Sequence, residues 1–171
     1  IIPTPLCTIG NMTTGVSIRR ANASDAATLA QLRFRWRTEE AGETGLDLHT
    51  YQEQMAEWLK THDHSHLGFV AIRDDVTIGE GWLALVERIP GPGQFLRRSA
   101  YLQAIYMEPS QRNIGIGALL IDEMIKTARE LNLDYVAVHP SAKSFPFYRR
   151  LGFEETGRLL EFDMRPPKNP S

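Results

Sequence analysis

The stretch "PSQRNIGIGALLIDEM", residues 109–124, sets a proline, polar residues and two glycines directly before an amphipathic helical pattern. Glycine lets backbone N–H groups come close to a ligand, because a Cβ blocks the approach or forbids the backbone angles required. At a helix N-terminus, the segment from Arg112 through Asn113, Ile114, Gly115, Ile116 and Gly117 to Ala118 would point several N–H groups toward one spot. Unpaired donors and the positive end of the helix dipole then act together, and phosphate is the anion they favour. Near the surface the dipole contributes only about 0.3–1 kcal/mol per charge, so the aimed N–H groups and Arg112 must supply most of the affinity.

Three phosphate-binding patterns compete for this loop. A nucleoside-triphosphate loop needs Gly-x-x-x-x-Gly-Lys-Ser/Thr, but Gly117 is followed by Ala118 and Leu119, with no lysine for the terminal phosphates. A dinucleotide fingerprint needs a third glycine where Leu120 stands, and an acidic residue at the end of the next strand; Asp134 precedes that strand. The remaining pattern, Arg-x-x-Gly-x-Gly/Ala, is matched by Arg112, Gly115 and Gly117.

Other side chains with chemical potential have plainer readings beside the functional one. His62, His64 and His66 alternate in "HDHSH", which could ligate a metal, but period-two histidines in a polar connector read as solvated and no metal is expected. Trp36, Tyr51 and Trp58 are candidate walls of an acceptor pocket between two early helices, although helically spaced aromatics are commonly core. "RIPGPGQFLRR" reads either as an acceptor loop or as a long turn.

The elements that position these residues follow from periodicity. A short strand at 16–20 leads to a helix capped by Ser24 or Asp25, with Ala27, Leu29, Leu32, Phe34 and Trp36 as its apolar positions. A second helix runs from about 48 to 60. "HLGFVAIR" and "TIGEGWLALVE" form a hairpin about Asp74 and Asp75, and "AYLQAIYM" is a strand that Pro109 helps to stop. After Gly115, Ile116, Leu119, Leu120, Met124 and Ala128 recur at helical steps. "DYVAVH" is then a strand, so this unit predicts a parallel, right-handed crossover. Residues 141–151 read as a helix with Pro146 in its first turn, and "GFEETGRLLEFDM" as a closing hairpin.

Bulk properties narrow the partners. The 171 residues, 42% of them hydrophobic, can bury one sizeable core. A formal charge of -2 and the absence of a long basic run argue against a nucleic-acid partner, which requires clustered Lys and Arg. No apolar run approaches the roughly 18 residues needed to span a membrane. Cys7 is the only cysteine, which fits a reducing, cytoplasmic setting. Met12 before the strand-like "GVSIRRA" marks an expected native start. Residues 1–11 then read as an added leader or a disordered segment, and 12–171 as a single domain.

The Arg-x-x-Gly-x-Gly loop resembles the diphosphate loop of the GNAT (Gcn5-related N-acetyltransferase) superfamily. Its context strengthens the likeness, because "YVAVHPSAKSFPFYRRLGFEETG" resembles the family's second conserved block, ending in Tyr-x-x-x-Gly-Phe. The resemblance implies a mixed α/β acyl-CoA N-acyltransferase fold: a mostly antiparallel sheet with one parallel strand-helix-strand crossover, flanked by helices. It also implies acetyl-CoA as co-substrate, with backbone groups of Ile105, Tyr106 and Met107 pairing with the pantetheine arm as an added strand. Arg112 through Ala118 would cradle the diphosphate, while Ser141, Ser144 and Phe147 line the other side of the arm. The family more often has Asn where Ser141 stands, and it often forms homodimers.

The implied chemistry sets its own demands. An alkylamine of pKa about 10.4 is only roughly one part in 2500 neutral at pH 7, so a group or water chain must take its proton. The departing thiolate has pKa about 8.5 and tyrosine about 10, so complete transfer from an ordinary tyrosine is uphill by roughly 2 kcal/mol. Tyr148 is therefore expected to act first as a hydrogen-bond donor to the developing thiolate. A backbone N–H of Tyr106 or Met107 is placed to polarise the thioester carbonyl. Where some members carry a strand glutamate as base, Tyr101 stands here; Glu80, Glu87, Glu40, Glu43 and His139 are the candidate acceptors, and spacing singles out none. The expected activity is acetyl transfer to a primary amine on a small molecule, by direct attack through a tetrahedral intermediate. The alternatives are a protein N-terminal or lysine acceptor, and a non-catalytic CoA-binding sensor.

Overall fold

The computed structural model describes residues 13–157 and Met164. Cys7, Met12, the leader and the 158–163 part of the expected closing hairpin lie outside these residues. The chain divides into two compact units, Ile1–His139 and Pro140–Ser171.

The first unit is built on a five-stranded sheet in the order β1-β2-β3-β4-β5. The strands are β1 Val16–Arg20, β2 His66–Arg73, β3 Val76–Arg88, β4 Arg97–Met107 and β5 Val136–Val138. Helices α1 (Ala26–Arg35) and α2 (Leu48–His62) lie between β1 and β2 in the chain, and α3 (Ile116–Glu130) lies between β4 and β5. Neighbouring strands are antiparallel except β4 and β5, which pair in parallel after the α3 crossover. This is the mixed, mostly antiparallel arrangement that the resemblance implied.

Local chemistry sets the element ends. Asp25, one of the two expected caps, stands at the N-cap of α1 but makes no side-chain cap bond there; the side-chain capping is done one turn earlier, where Asn22 caps the 3-10 turn Ala23–Asp25. Asn22 accepts from the Ser24 N–H at 2.9 Å, and Asp25 accepts from the Asn22 N–H at 2.8 Å, a reciprocal capping box. Asp25 also takes two bonds from Arg19 at 2.7 and 2.8 Å, which hold its carboxyl below its ordinary range despite burial. The β2–β3 hairpin turns through Asp74 and Asp75, both left-handed (φ 50° and 62°), as a tight two-residue connection requires.

Alternation along β3 separates two packing layers. Trp82 joins Leu29 and Val70 in a buried cluster covered by Met55, Trp58 and Leu59 of α2, so α1 and α2 occupy one face. Its neighbour Gly81 points to the other face, where Leu120 and Met124 of α3 lie. On α3 the buried stripe is Ile116, Leu120, Ile121, Met124 and Ala128; Leu119, expected within it, is 37% exposed. Ile121 falls closer to the sheet-facing meridian, one step further round the helix.

A bulge interrupts β4. Trp82 pairs with Gln103 and Glu80 with Tyr106, so Gly81 faces two residues, Ala104 and Ile105. Ala104 takes φ 52° to accommodate the extra residue. The Ile105 Cδ1 lies 2.7 Å from where a Gly81 Cβ would stand, and Met124 Sδ 2.9 Å. Beyond the bulge β5 no longer follows β4, since their pairing covers only Ala100–Val136, Tyr101–Ala137 and Leu102–Val138. Gly81→Ala should therefore overpack this point and lower stability by about 1–3 kcal/mol, read as a lower urea midpoint with an unchanged slope.

Candidate active site

The expected anion loop forms directly after the bulged strand. β4 ends at Met107, the Glu108 N–H bonds Ile78 O at 2.9 Å, and Pro109 opens a 3-10 turn through Gln111. Asn113 and Gly115 both take left-handed angles, φ 62° and 92°, and α3 starts at Ile116. Glycine suits position 115 because only it adopts this angle without a Cβ penalty. The Gly115 carbonyl receives the N–H groups of Ala118 (3.0 Å) and Leu119 (3.3 Å), while those of Ile116 and Gly117 open the first turn without a preceding helical carbonyl. Alternating left-handed and right-handed residues at a helix start make an anion-binding concavity.

Arg112 is held beside the loop, its side chain turned back toward the sheet. Its Nε donates to the Met107 carbonyl at 2.9 Å, its guanidinium pairs with Glu40 and lies 5.4 Å from the centre of the Tyr106 ring. Glu40 ends a π-helical turn, Trp36–Glu40, that continues α1. The same turn stacks Trp36 on Tyr106 at 6.0 Å, and Arg35 pairs with Glu108 at 2.6 Å. Exposed pairs of this kind each contribute only about 0–1 kcal/mol, so their effect is to position the end of β4 against α1. Tyr106 and Met107 are buried, and burial followed by Glu108 and Glu40 raises the Tyr106 hydroxyl above its ordinary pKa.

In the second unit, helix α4 (Phe145–Arg150) carries Pro146 in its first turn, as the sequence requires. Ser141 and Ser144 bond one another, Oγ to Oγ at 3.0 Å, and Ser141 Oγ accepts from the Ser144 N–H at 3.2 Å. Gly152 (φ 87°) closes the helix: its N–H bonds Arg149 O, and the Phe153 N–H bonds Tyr148 O, each at 3.1 Å. That is a Schellman cap, and its usual apolar contact is made here by the Tyr148 and Phe153 rings, 5.5 Å apart. Tyr-x-x-x-Gly-Phe is thus a device that fixes the tyrosine. Phe147 packs edge-on against Tyr148 at 5.3 Å, and burial raises the pKa of the Tyr148 phenol.

On the α1–α2 face a cavity of about 430 Å³ is walled by Tyr51, Met55, Trp58 and Trp82, and reaches Gln103 and Ala104 at the bulge. Of the three aromatics expected to wall an acceptor pocket, Tyr51 and Trp58 do so, whereas Trp36 stacks on Tyr106. His62 and His66 pack around Trp58, with ring centres 4.5 and 4.9 Å from it. Among the described residues no three His, Cys, Asp or Glu side chains gather as a metal site. No helix among them is long and apolar enough to cross a membrane.

The sheet, the crossover helix and the loop between them define an acyl-CoA N-acyltransferase fold. The Acetyltransferase (GNAT) family model matches residues 29–153. The chain belongs to this family, and its class of activity is acetyl-CoA-dependent N-acetyl transfer. It is 26% identical over 125 residues to the peptidyl-lysine N-acetyltransferase YjaB of Escherichia coli strain K12, covering 68% of this chain and 84% of that one. It is 31% identical over 68 residues to the glucosamine 6-phosphate N-acetyltransferase of Trypanosoma brucei brucei, covering 40% and 46%. A crystal structure of a predicted acetyltransferase with acetyl-CoA from Clostridium acetobutylicum superposes with a TM-score of 0.71 at 22% identity, over 86% of this chain and 96% of that one.

The candidate proton acceptors part company in space. Glu40 pairs with Arg112, Glu43 with Arg37, Glu87 is exposed at the far end of β3, and His139 is exposed with its ring 5.4 Å from Tyr101. Glu80 alone is wholly buried: Oε2 accepts from Trp82 Nε1 at 3.1 Å, and Oε1 has no hydrogen-bond partner. Burial pushes its carboxyl up to about 7, against smaller opposing effects of the Trp82 bond and the Arg33 charge. Sequence spacing missed this, although one signal existed: an acidic residue inside the apolar strand, in phase with Trp82 and Ala84. Because the folded state holds this proton more tightly than the unfolded chain, stability falls as pH rises from about 4.5 through about 7. Glu80→Gln should therefore stabilise the protein by up to about 3 kcal/mol at pH 8, with the gain shrinking at pH 5, as thermal melts at the two pH values would read.

Proposed function

We propose that the protein acetylates a primary amine on a small molecule, with the pantetheine arm of acetyl-CoA laid along Ile105, Tyr106 and Met107 and its diphosphate on the loop Arg112–Ala118. The observation that carries this is the bulged β4, which leaves β5 after Leu102 and runs directly into an anion concavity at the start of α3. A strand edge supplies backbone groups to an extended amide-bearing arm. The helix N-terminus supplies donors to the phosphates at the end of that arm. The setting proposed is the cytoplasm, with residues 12–171 acting as one catalytic domain and a homodimer as the assembly.

Bound acetyl-CoA supplies an activated acyl group. The neutral amine attacks its carbonyl carbon, the C–N bond forms, and the C–S bond breaks as the thiolate departs. One amine proton reaches sulfur and one goes to solvent, so an ammonium acceptor yields amide, free thiol and a proton. Tyr148 donates a hydrogen bond to the sulfur as charge develops there. Its burial keeps the phenol protonated at neutral pH, which suits a donor and disfavours a base. Ser141, Ser144 and Phe147 contribute to holding the arm.

Purified protein should release free thiol from acetyl-CoA with at least one member of an amine panel. Tight CoA binding with no turnover across that panel would favour a sensor, and turnover confined to lysyl peptides a protein acetyltransferase. Tyr148→Phe should lower kcat by about 10²–10⁴-fold with little change in CoA affinity; equal turnover would remove Tyr148 from the mechanism. Gly117→Asp adds bulk and negative charge at the loop and should abolish CoA binding in calorimetry.

A further inference from the structure

The turn between β3 and β4 lies at the opposite end of β4 from the anion loop, roughly 30–35 Å away for a strand of this length. It exposes three large apolar side chains, Ile89 at 86%, Phe95 at 76% and Leu96 at 78%. Single apolar side chains are ordinary on a surface, but three gathered in one turn mark a contact. The turn does not expose them by unravelling. The register set by Arg88 and Arg97 continues to the Gly91–Gln94 bridge, whose two N–H groups bond the opposite carbonyls at 3.0 and 3.1 Å, so Ile89 stands across from Leu96. Gln94 Nε2 donates to Asp134 Oδ1 at 3.2 Å, and Pro90 and Pro92 stiffen the backbone. The apolar tip is therefore a fixed projection that needs no further ordering to bind.

The charges at its base select the occupant. Arg88 and Arg97 face each other on the last rung of the β3–β4 ladder, directly below the tip, and Arg98 follows. Like charges directly opposite one another destabilise a sheet, and an anion beside both removes that cost. Among the described residues only Arg88 of the three meets a carboxylate, Asp134 at 3.5 Å; Arg97 donates to the Ile89 carbonyl at 3.4 Å and Arg98 to the Leu131 carbonyl at 3.1 Å. Glu87 stands across from Arg98 without pairing with it. We infer that this tip docks the protein on an anionic lipid bilayer, with Ile89, Phe95 and Leu96 entering the boundary between headgroups and acyl chains and the three arginines at the lipid phosphates. Apolar side chains ahead of a basic base bind such a surface by burial and by attraction together. A second copy fits badly, because tip against tip would set one arginine rung against the other. Three side chains, each offering no more than the roughly 150–250 Å² that an aromatic residue buries, also fall short of the about 800 Å² per partner of a stable protein interface. A bilayer needs no matching groove. The contact lies on the membrane and does not span it, in keeping with the described helices, and the anion loop at the far end of β4 stays clear of the lipid.

The test sediments the full chain with sucrose-loaded vesicles of phosphatidylcholine, alone or mixed with phosphatidylglycerol. The mixed vesicles should bind at least tenfold more tightly, and added salt should weaken that binding. Equal binding to the two compositions, or binding to neither, overturns the inference. Phe95→Ser combined with Leu96→Ser should lower affinity for the mixed vesicles at least tenfold, and Arg97→Glu about tenfold, with circular dichroism and a cooperative melt showing that both variants are folded. Undiminished binding by either variant overturns it as well. Phe95→Trp should gain blue-shifted emission on the mixed vesicles that lipids brominated in the acyl chain quench; emission no different from that of the unsubstituted protein would place the tip outside the lipid. A lipid-free dimer in sedimentation velocity that the Phe95→Ser, Leu96→Ser variant converts to monomer would assign the tip to a second copy instead.

Discussion

Ala104 sits at φ 52° within a strand, a conformation that costs a non-glycine residue roughly 1–3 kcal/mol, and the neighbouring packing is arranged to hold it there. Across from it Gly81 has no Cβ, and Ile105 fills that place between β3 and α3. The extra residue shifts the register by one, so Tyr106, rather than Ile105, comes opposite Glu80. Three features descend from this single offset: the parting of β4 from β5, the position of the loop that follows, and the opening of a cavity at Gln103 and Ala104.

Two contrasting polar features lie in the first unit. The loop before α3 presents backbone N–H groups at a helix N-terminus, with the Arg112 guanidinium beside it. The α1–α2 face holds an aromatic-walled cavity, and β3 carries a buried carboxylate with one unpaired oxygen. Burial pushes that carboxyl, Glu80, up to about 7. Ion pairs from α1 and its π-helical turn, Arg35 to Glu108 and Glu40 to Arg112, tie the strand end between the two regions.

Much of this was legible in the sequence wherever a residue type is forced by backbone geometry. Gly115 marks a left-handed helix start, Asp74 and Asp75 mark a tight hairpin, and Gly152 with Phe153 marks a helix cap. The bulge left no such mark, because the residue that adopts the strained angle is alanine and the glycine that permits it lies on another strand. Glu80 was one acidic residue among several until burial separated it, and burial is a property of the assembled sheet. The extra capping turn at Asn22 was unread for a similar reason: the Asp25 carboxylate serves Asn22 and Arg19 on β1 instead of α1. Trp36 read as a pocket wall by helical spacing, but the π-helical turn that begins at this residue belongs to its stacking on Tyr106 instead.

The parting of β4 from β5 has a cost outside chemistry. Residues 103–107 present a run of main-chain donors and acceptors that β5 does not cover. Such a run is a template for pairing with another extended chain, and proteins usually blunt it with charge, proline or a covering element. The segment "QAIYM" itself carries neither charge nor proline before Glu108 and Pro109. An occupant lying along it would therefore also serve as a shield, so that the supply of that occupant in the cell would set how readily freshly made chains associate edge to edge.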